Sequence, residues 1–438
     1  MTRQWVPTVA ASGAMLGLGA SILLPLGHAG RNSLRAPGGL AILAGDITAT
    51  AGTYLLLIMV LLAARIVPLE NALGQDRLIR WHRWLSSAPL ILLGAHGVLS
   101  SLGYAQSTRM GFWSGAGSLI TTMGWIFASL VAYAMLVVIA GVSVRIVRRR
   151  INYDSWWVIH LYTYLALAFS VPHQIVDGTD FAGRPTIQAA WLLLWSGTAG
   201  VVLVYRIGLP LYRSVRHRLQ LVHVRPEGPD VYSLVIRGRG LERLAVAGGQ
   251  FFRWRFLTRG LWWHAHPFSL SAMPAPPYMR VTVKVSGDAT QQITRLRPGT
   301  RIAIEGPYGT FTTDSRTRQK VALIGAGVGI TPLRALLEDL PGNVDVVVVQ
   351  RASTKEDLIH HDEIASLAEE RGGRLIEVVG PRAHHRLNDA RKLHRLIPDL
   401  GSRELYICGP DQFASGIVAA ARQLGLAASS IHFESFDL

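Results

Sequence analysis

The first half of the chain is a succession of long apolar runs, at residues 5–27, 40–64, 84–103, 118–144, 155–176 and 187–209. Each is close to the ~20 residues that an α-helix needs to cross the hydrocarbon core of a bilayer. Asp46 is the one acid deep inside a run. After residue 216 the pattern changes. Short segments of alternating apolar and polar residues, separated by Gly and Pro, cover Leu219–Val224, Val231–Arg237, Gln250–Phe256, Met279–Val285 and Arg301–Ile304. That period of two predicts a small antiparallel barrel. From residue 317, continuous apolar runs at Val321–Ile324, Val344–Val349, Leu375–Val379 and Leu405–Ile407 alternate with helical patterns. These predict a parallel α/β sheet. The expected fold is therefore a membrane α-helical bundle of six transmembrane helices over residues 1–215, an antiparallel β-barrel domain over 216–316, and a Rossmann-like α/β domain over 317–438.

Composition fits that division. Half of the 438 residues are apolar and only 16% are charged, too apolar a balance for an ordinary soluble enzyme. The formal net charge is +16, mostly from arginine. Nucleic acid is one partner class for such a charge, but arginines gathered at the ends of apolar runs would face anionic headgroups instead. No nucleic-acid partner is expected. The connections between runs carry 13 arginines on one side and 4 on the other. The positive-inside rule then puts both termini in the cytoplasm, with the bundle in the inner membrane. The first run is long and others follow it, so it does not read as a cleavable signal. One cysteine, Cys408, excludes an intrachain disulfide and a Cys-rich zinc or iron–sulfur site.

Four histidines stand in or beside the apolar runs: His82 and His96, 14 residues apart, and His160 and His173, 13 apart. An imidazole in a bilayer core is costly without a partner and marks a candidate functional site. The third and fifth runs both begin on the cytoplasmic side. His82 and His160 then lie at the inner end, with His96 and His173 about 20 Å further out at the helical rise. The 14-residue spacing returns a side chain to within about 40° of the same helix face, whereas the 13-residue spacing leaves about 140°. An irregularity at Pro172 is therefore expected to turn His173 inward. The pairs His82–His160 and His96–His173 would each clamp one heme iron. Filling both axial positions suits electron transfer rather than oxygen binding at iron. The plainer reading, histidines bonded to neighbouring helices, fits any one of them but not four at matched depths. His28 is expected to be interfacial, and His264, His360, His361, His384 and His385 solvated.

The clearest nucleotide signal is Gly325-Ala326-Gly327-Val328-Gly329-Ile330-Thr331-Pro332, directly after the strand-like run Lys320–Ile324. Glycines let the backbone approach a pyrophosphate, Thr331 can cap the next helix, and Pro332 suits its first turn. After the second run comes Arg351-Ala352-Ser353. An arginine near this position accommodates the 2′-phosphate of NADP, so NADPH is favoured over NADH. Arg351 as a plain surface residue is the alternative.

Together these residues carry a family resemblance. His266-Pro267-Phe268-Ser269-Leu270-Ser271 resembles the flavin-binding motif of the NADPH oxidase and ferric reductase family. Gly306-Pro307-Tyr308-Gly309, the glycine turn at 325–332, Cys408-Gly409-Pro410 and Phe433-Glu434-Ser435-Phe436 follow in the order of a ferredoxin-NADP reductase-like module. The histidine spacings are similar to that family's bis-heme helices. The resemblance covers nearly the whole chain and points to the bacterial ferric-reductase-like transmembrane proteins. It implies an FAD-binding barrel with Phe268 on the isoalloxazine and Ser269 by its reactive nitrogen. His266 would stand at the flavin phosphates, with Lys284 and the Gly287-Asp288-Ala289-Thr290 turn at the FAD pyrophosphate. Cys408 would lie near the nicotinamide, and Phe436 would cover the other flavin face. Trp262 and Trp263 fit either packing at the membrane face or a place between flavin and inner heme.

The expected function is a transmembrane oxidoreductase. Electrons would pass from cytoplasmic NADPH through FAD and two hemes b to an outer small-molecule acceptor, dioxygen or an Fe³⁺ chelate. Moving an electron outward against a negative interior is favourable by about 2.3 kcal/mol per 100 mV. The alternative is a heme-binding membrane subunit or sensor that passes electrons to a partner protein.

Overall fold

A computed structural model describes residues 5–181, 183–381 and 387–435. The chain divides into two compact units, Met1–Arg206 and Ile207–Leu438.

The first unit is helical. Its principal helices are α1 (Trp5–His28), α2 (Gly39–Ala63), α3 (Gln75–Leu85), α4 (Ser87–Thr108), α5 (Ile126–Ser143), α6 (Tyr153–Val176) and α7 (Pro185–Leu203). Among the described residues, five helices are long and apolar enough to cross a membrane: Trp5–His28, Gly39–Ala63, Gln75–Thr108, Ile126–Ser143 and Pro185–His217. The fifth expected run forms α6, which has 24 residues but is not among those five. Its interior carries His160, Ser170, His173 and Gln174. The fourth expected run is split, because Met123–Trp125 separates the helix Phe112–Thr122 from α5. Leu56 of α2, Ala132 and Leu136 of α5, and Ala166 and Leu167 of α6 are buried together as the centre of the bundle. Small residues let α2 and α4 approach closely, as is usual between membrane helices. A β-carbon on Gly103 would stand 2.6 Å from the Ile42 side chain, and one on Gly52 would stand 3.0 Å from Leu92 Cβ.

The expected break at Pro172 is not seen; α6 runs through it unbroken. The interruption lies on the other histidine-bearing helix, at Ser86, between α3 and α4. Its cause is legible. Pro89 has no N–H for the carbonyl of Leu85, so the helical ladder loses a bond there, and Ser86 Oγ donates to the Arg83 carbonyl at 2.7 Å.

The second unit opens with α8 (Leu209–His217) and holds two sheets. The first has β1 (Leu219–Gly228), β2 (Val231–Arg237), β3 (Phe251–Phe256), β4 (His266–Ser269), β5 (Tyr278–Lys284) and β6 (Arg301–Tyr308), in the order β4-β3-β6-β1-β2-β5. Every strand pair in it is antiparallel. Alternate side chains, among them Leu234, Ile236, Phe252, Trp254, Phe256, Val281 and Ile304, fill its interior. A bridge between Leu270 and Val281 joins the strand segments at its two ends. The second sheet is parallel, with β7 (Lys320–Ala326), β8 (Asp345–Ala352), β9 (Arg374–Val379), β10 (Glu404–Gly409) and β11 (Ile431–Ser435) in the order β11-β10-β7-β8-β9. Its strands are apolar on both faces and bury two separate clusters, one on each side. Periodicity had not announced β4 or β11: β4 is only four residues long, and it is the flavin-like motif itself.

Candidate functional site

In the helical unit the four histidines meet in two pairs. The rings of His82 and His160 lie 6.2 Å apart, centre to centre, and those of His96 and His173 lie 5.9 Å apart. A metal ion ligated by two imidazoles stands about 2 Å from each nitrogen, which requires roughly 6 Å between ring centres. Ring orientation is fixed from α2. His82 Nδ1 donates to the Met59 carbonyl at 2.9 Å, and His96 Nδ1 donates to the Gly45 carbonyl at 3.0 Å. Each bond selects the tautomer whose Nε2 carries a lone pair, as ligating histidines require. Nδ1 of His160 and Nδ1 of His173 are buried without a hydrogen-bond partner among the described residues. These residues fit two bis-imidazole hemes.

Two neighbours were not anticipated. Trp156 stacks on His160 with ring centres 5.1 Å apart, and the Arg148 guanidinium lies 4.8 Å from the Trp156 ring centre. At the opposite end of the bundle, Thr179 donates to Asp46 at 2.8 Å, and His28 Nδ1 stands 3.3 Å from Asp180. His28 is therefore tied to an acid, not simply interfacial.

In the second unit β4 carries His266, Pro267, Phe268 and Ser269, and is pinned by β3, where Phe251 faces Ser269 and Trp254 faces His266. Trp254 Nε1 donates to the Phe268 carbonyl at 2.9 Å. The rings of His266 and Phe268 are nearly parallel, 6.1 Å apart. Two buried polar atoms here have no partner among the described residues: Ser269 Oγ and His266 Nε2. Burial, with His264, Arg253 and Arg255 close by, holds the His266 imidazole down at about 4. An anionic flavin with a hydrogen-bonding edge supplies what both atoms lack. Tyr308 is buried against Phe251. Gly306 and Gly309 have φ of +125° and +105°, conformations that favour glycine, and Arg213 of α8 donates to the Gly306 carbonyl. Leu270 and Ser271 are fully buried, and Lys284 is exposed at the end of β5. Thr290 Oγ1 accepts from the Ser286 and Gly287 amides at 2.9 and 3.1 Å, so it closes its own turn.

In the parallel sheet the strand order reverses between β7 and β10, and ligands of such sheets bind outside the carboxyl ends at that point. Gly325 pairs with Cys408 there. Gly327, with φ +55°, borders open space, while a β-carbon on Gly329 would stand 2.5 Å from the Cys408 carbonyl oxygen. The helix α9 (Ile330–Asp339) begins at this turn with no side-chain cap. Helix N-termini of this kind serve as anion sites. Thr331 does not cap it, since its hydroxyl donates to the Val328 carbonyl at 2.8 Å; Pro332 falls in the first turn as expected. Gly409 ends β10 and Pro410 follows it, and Ser353 is exposed beyond β8.

Some expectations are corrected. Arg351 is buried, and its guanidinium donates to the carbonyls of Ala352, Val378 and Gly380. It closes the β8–β9 edge instead of facing a 2′-phosphate. Cys408 is fully buried in the sheet core, and burial raises its thiol well above the usual range. It is a small core residue at the strand end, so a reactive role loses support. His360 is buried instead of solvated: its Nε2 stands 2.9 Å from Thr282 Oγ1. Phe436, His384 and His385 lie outside the described residues.

His360 opens α10 (His361–Glu369), which carries a brace that the sequence did not signal. Arg280 of β5 donates to both oxygens of Glu363, at 2.7 and 2.6 Å, and Arg334 of α9 donates to Glu363 at 2.8 Å. Arg280 also donates to Ser271 Oγ at 3.2 Å, and Glu338 accepts from the Met273 amide at 2.7 Å. The flavin-like motif is thus held against the parallel sheet.

Comparison with known proteins agrees with this architecture. The ferric reductase like transmembrane component matches residues 48–171, an FAD-binding domain matches 220–312, and an oxidoreductase NAD-binding domain matches 323–419. An NADPH oxidoreductase of Mycobacterium tuberculosis is 28% identical over 52% of this chain and 62% of its own length. A flavohemoprotein of Bacillus subtilis is 28% identical over 40% of this chain and 47% of its own, and mouse NADPH oxidase 1 is 28% identical over 36% and 26%. The chain thus spans about a quarter to three-fifths of the length of these relatives. The flavohem-like FAD/NAD binding domain of nitric oxide dioxygenase from Vibrio cholerae O1 biovar El Tor aligns over 50% of this chain and 99% of that one, at 22% identity and TM-score 0.44. The three matches, in this order, agree with the resemblance to the NADPH oxidase and ferric reductase family. The chain joins a membrane domain to FAD-binding and NAD(P)-binding domains.

Proposed function

We propose that this protein is a transmembrane oxidoreductase of the inner membrane. It moves electrons from cytoplasmic NADPH, through FAD and two hemes b, to dioxygen or ferric iron on the other side. The observation that carries the proposal is the pair of facing imidazole pairs, each with one ring oriented from α2. When bound, the flavin accepts an electron pair and releases it singly, and the hemes relay single electrons.

The chain's own residues do the rest. His82 and His160 hold the inner heme, and His96 and His173 the outer one. Met59 and Gly45 set the two ring tautomers through their carbonyls. Phe268 offers a flat apolar face for the flavin ring, Ser269 Oγ a hydrogen bond to its edge, and His266 a proton-bearing group for its phosphates. Gly325, Gly327 and Gly329 keep the start of α9 open to a dinucleotide phosphate. With Arg351 engaged inside the sheet, the preference for NADPH over NADH rests on the relatives' names. The arginine distribution supports cytoplasmic termini, and the small diffusible acceptor rests on the short outer connections.

Purified protein in nanodiscs, turned over with NADPH, tests the reading. Superoxide formation in air is compared with Fe³⁺-chelate reduction without oxygen, and NADH is run beside NADPH. Acceptor-dependent NADPH oxidation with no added protein is expected. Activity that appears only with a partner protein would favour the subunit reading.

A further inference from the structure

The register of the antiparallel sheet brings one end of five strands into a row. Phe256 pairs with Ile302, Gln220 with both Arg301 and Arg237, and Arg237 with Tyr278. This row is the rim at which the chain enters the sheet. Arg218 ends α8, and a reciprocal clasp fixes it there: the Arg239 amide donates to the His217 carbonyl at 2.7 Å, and His217 Nδ1 donates to the Arg239 carbonyl at 2.9 Å.

Arg218, Arg237 and Arg239 line one open cavity of about 440 Å³ on this rim. All three are exposed, and none has a side-chain partner among the described residues. Glu242 is the one acid in the lining. Some arginines elsewhere in this unit behave differently: Arg253, Arg255, Arg280, Arg334 and Arg403 are paired with carboxylates. Apolar side chains stand further along the same rim, at its β3 end. Leu257, just past β3, is 46% exposed, and Trp262, whose amide bonds back to Thr258, is 61% exposed.

We propose that this rim is a lipid-binding surface, with the three arginines forming a site for the phosphate of an anionic phospholipid headgroup. Unpaired guanidiniums recognise phosphate through paired N–H donors. Exposed tryptophan and leucine on the same rim suit the headgroup boundary, where one part of a side chain is buried and another wet. α8 follows the apolar helix α7 after one π-helical segment, Val204–Gly208. A soluble phosphate would use the same donors but would have no use for Trp262 or Leu257.

The test is hydrogen exchange of the full chain in nanodiscs. Neutral phosphatidylcholine is compared with the same lipid containing about 30% phosphatidylglycerol, and with phosphatidylcholine plus inorganic phosphate. The expected result is exchange about tenfold slower at residues 217–220 and 237–242 with phosphatidylglycerol only. Replacing Arg218, Arg237 and Arg239 by Gln should abolish that protection while NADPH-to-dye reduction stays at the wild-type rate. Glu242→Gln should lower the phosphatidylglycerol content needed. Equal exchange in both lipids, protection by inorganic phosphate alone, or protection that survives the triple replacement would each overturn the proposal.

Discussion

The properties of single residues here are set by one hydrogen bond or one missing neighbour. His266 is the clearest case. Without an anion its imidazole sits at about 4, pushed down first by burial and then by His264, Arg253 and Arg255. Flavin phosphates beside it would raise that value, so binding takes up a proton. Apoprotein should therefore bind FAD more tightly at pH 5.5 than at pH 7.5, and His266→Gln should flatten the dependence in a flavin fluorescence titration; an unchanged slope in the variant would remove His266 from the phosphates. The glycine turn offers a second case. A methyl group at Gly329 runs into the Cys408 backbone, whereas Gly327 has open space and only a left-handed φ to lose. Gly329→Ala should destabilise the nucleotide domain by about 1–3 kcal/mol and weaken NADPH binding. Gly327→Ala should cost about 1 kcal/mol. Thermal unfolding of the two variants distinguishes them.

Between elements, contacts decide what spacing alone left open. Histidines 14 residues apart on α3–α4 meet carbonyls 14 residues apart on α2, Met59 and Gly45, so two antiparallel helices share one repeat. The histidines were legible in the sequence because an imidazole in an apolar run stands out. Their carbonyl partners were not, because every residue carries a carbonyl. Gly45 hints at the approach: a β-carbon there would stand 2.9 Å from Ser100 Oγ. Gly45→Val should push α2 away from His96 and weaken the outer heme site about 10–100-fold while sparing the inner one; heme content per chain measures this. The Arg280–Glu363–Arg334 brace left no trace in the sequence either, since its members lie far apart along the chain and each reads alone as a surface charge. Glu363 is held at about 2 by Arg280 and Arg334, below its usual 4.5. Its contribution is complete above pH 4.5 and is lost as pH falls toward 2. His360, held at about 3 mainly by burial, acts in the same direction: the unfolded chain takes up its proton first as pH falls below 6.5. Glu363→Gln should lower stability at pH 7 by about 1–2 kcal/mol, the solvent that reaches the carboxylate limiting the loss. It should also make melting temperature less sensitive to pH between 5 and 3, as followed by flavin release. An equal pH dependence in the variant would take Glu363 out of the brace.

For the whole molecule, the alternation of periods along the chain was enough to separate the helical bundle, the antiparallel sheet and the parallel sheet, because each buries its apolar residues at a different repeat. It was not enough for β4, where the motif His266–Ser269 is too short to show a period, or for Arg351, whose burial depends on the carbonyls of β9. The account of function depends on two imidazole pairs acting in series, and His82, His96, His160 and His173 are the residues that can break it. The most direct measurement is the heme content and anaerobic NADPH-reduced spectrum of the protein in nanodiscs, beside His96→Ala. The account predicts two low-spin hemes per wild-type chain, both reduced by NADPH. In His96→Ala it predicts one heme, still reduced, with reduction of the outer acceptor lost. Wild-type protein without heme, or a His96→Ala variant that keeps both, would contradict it.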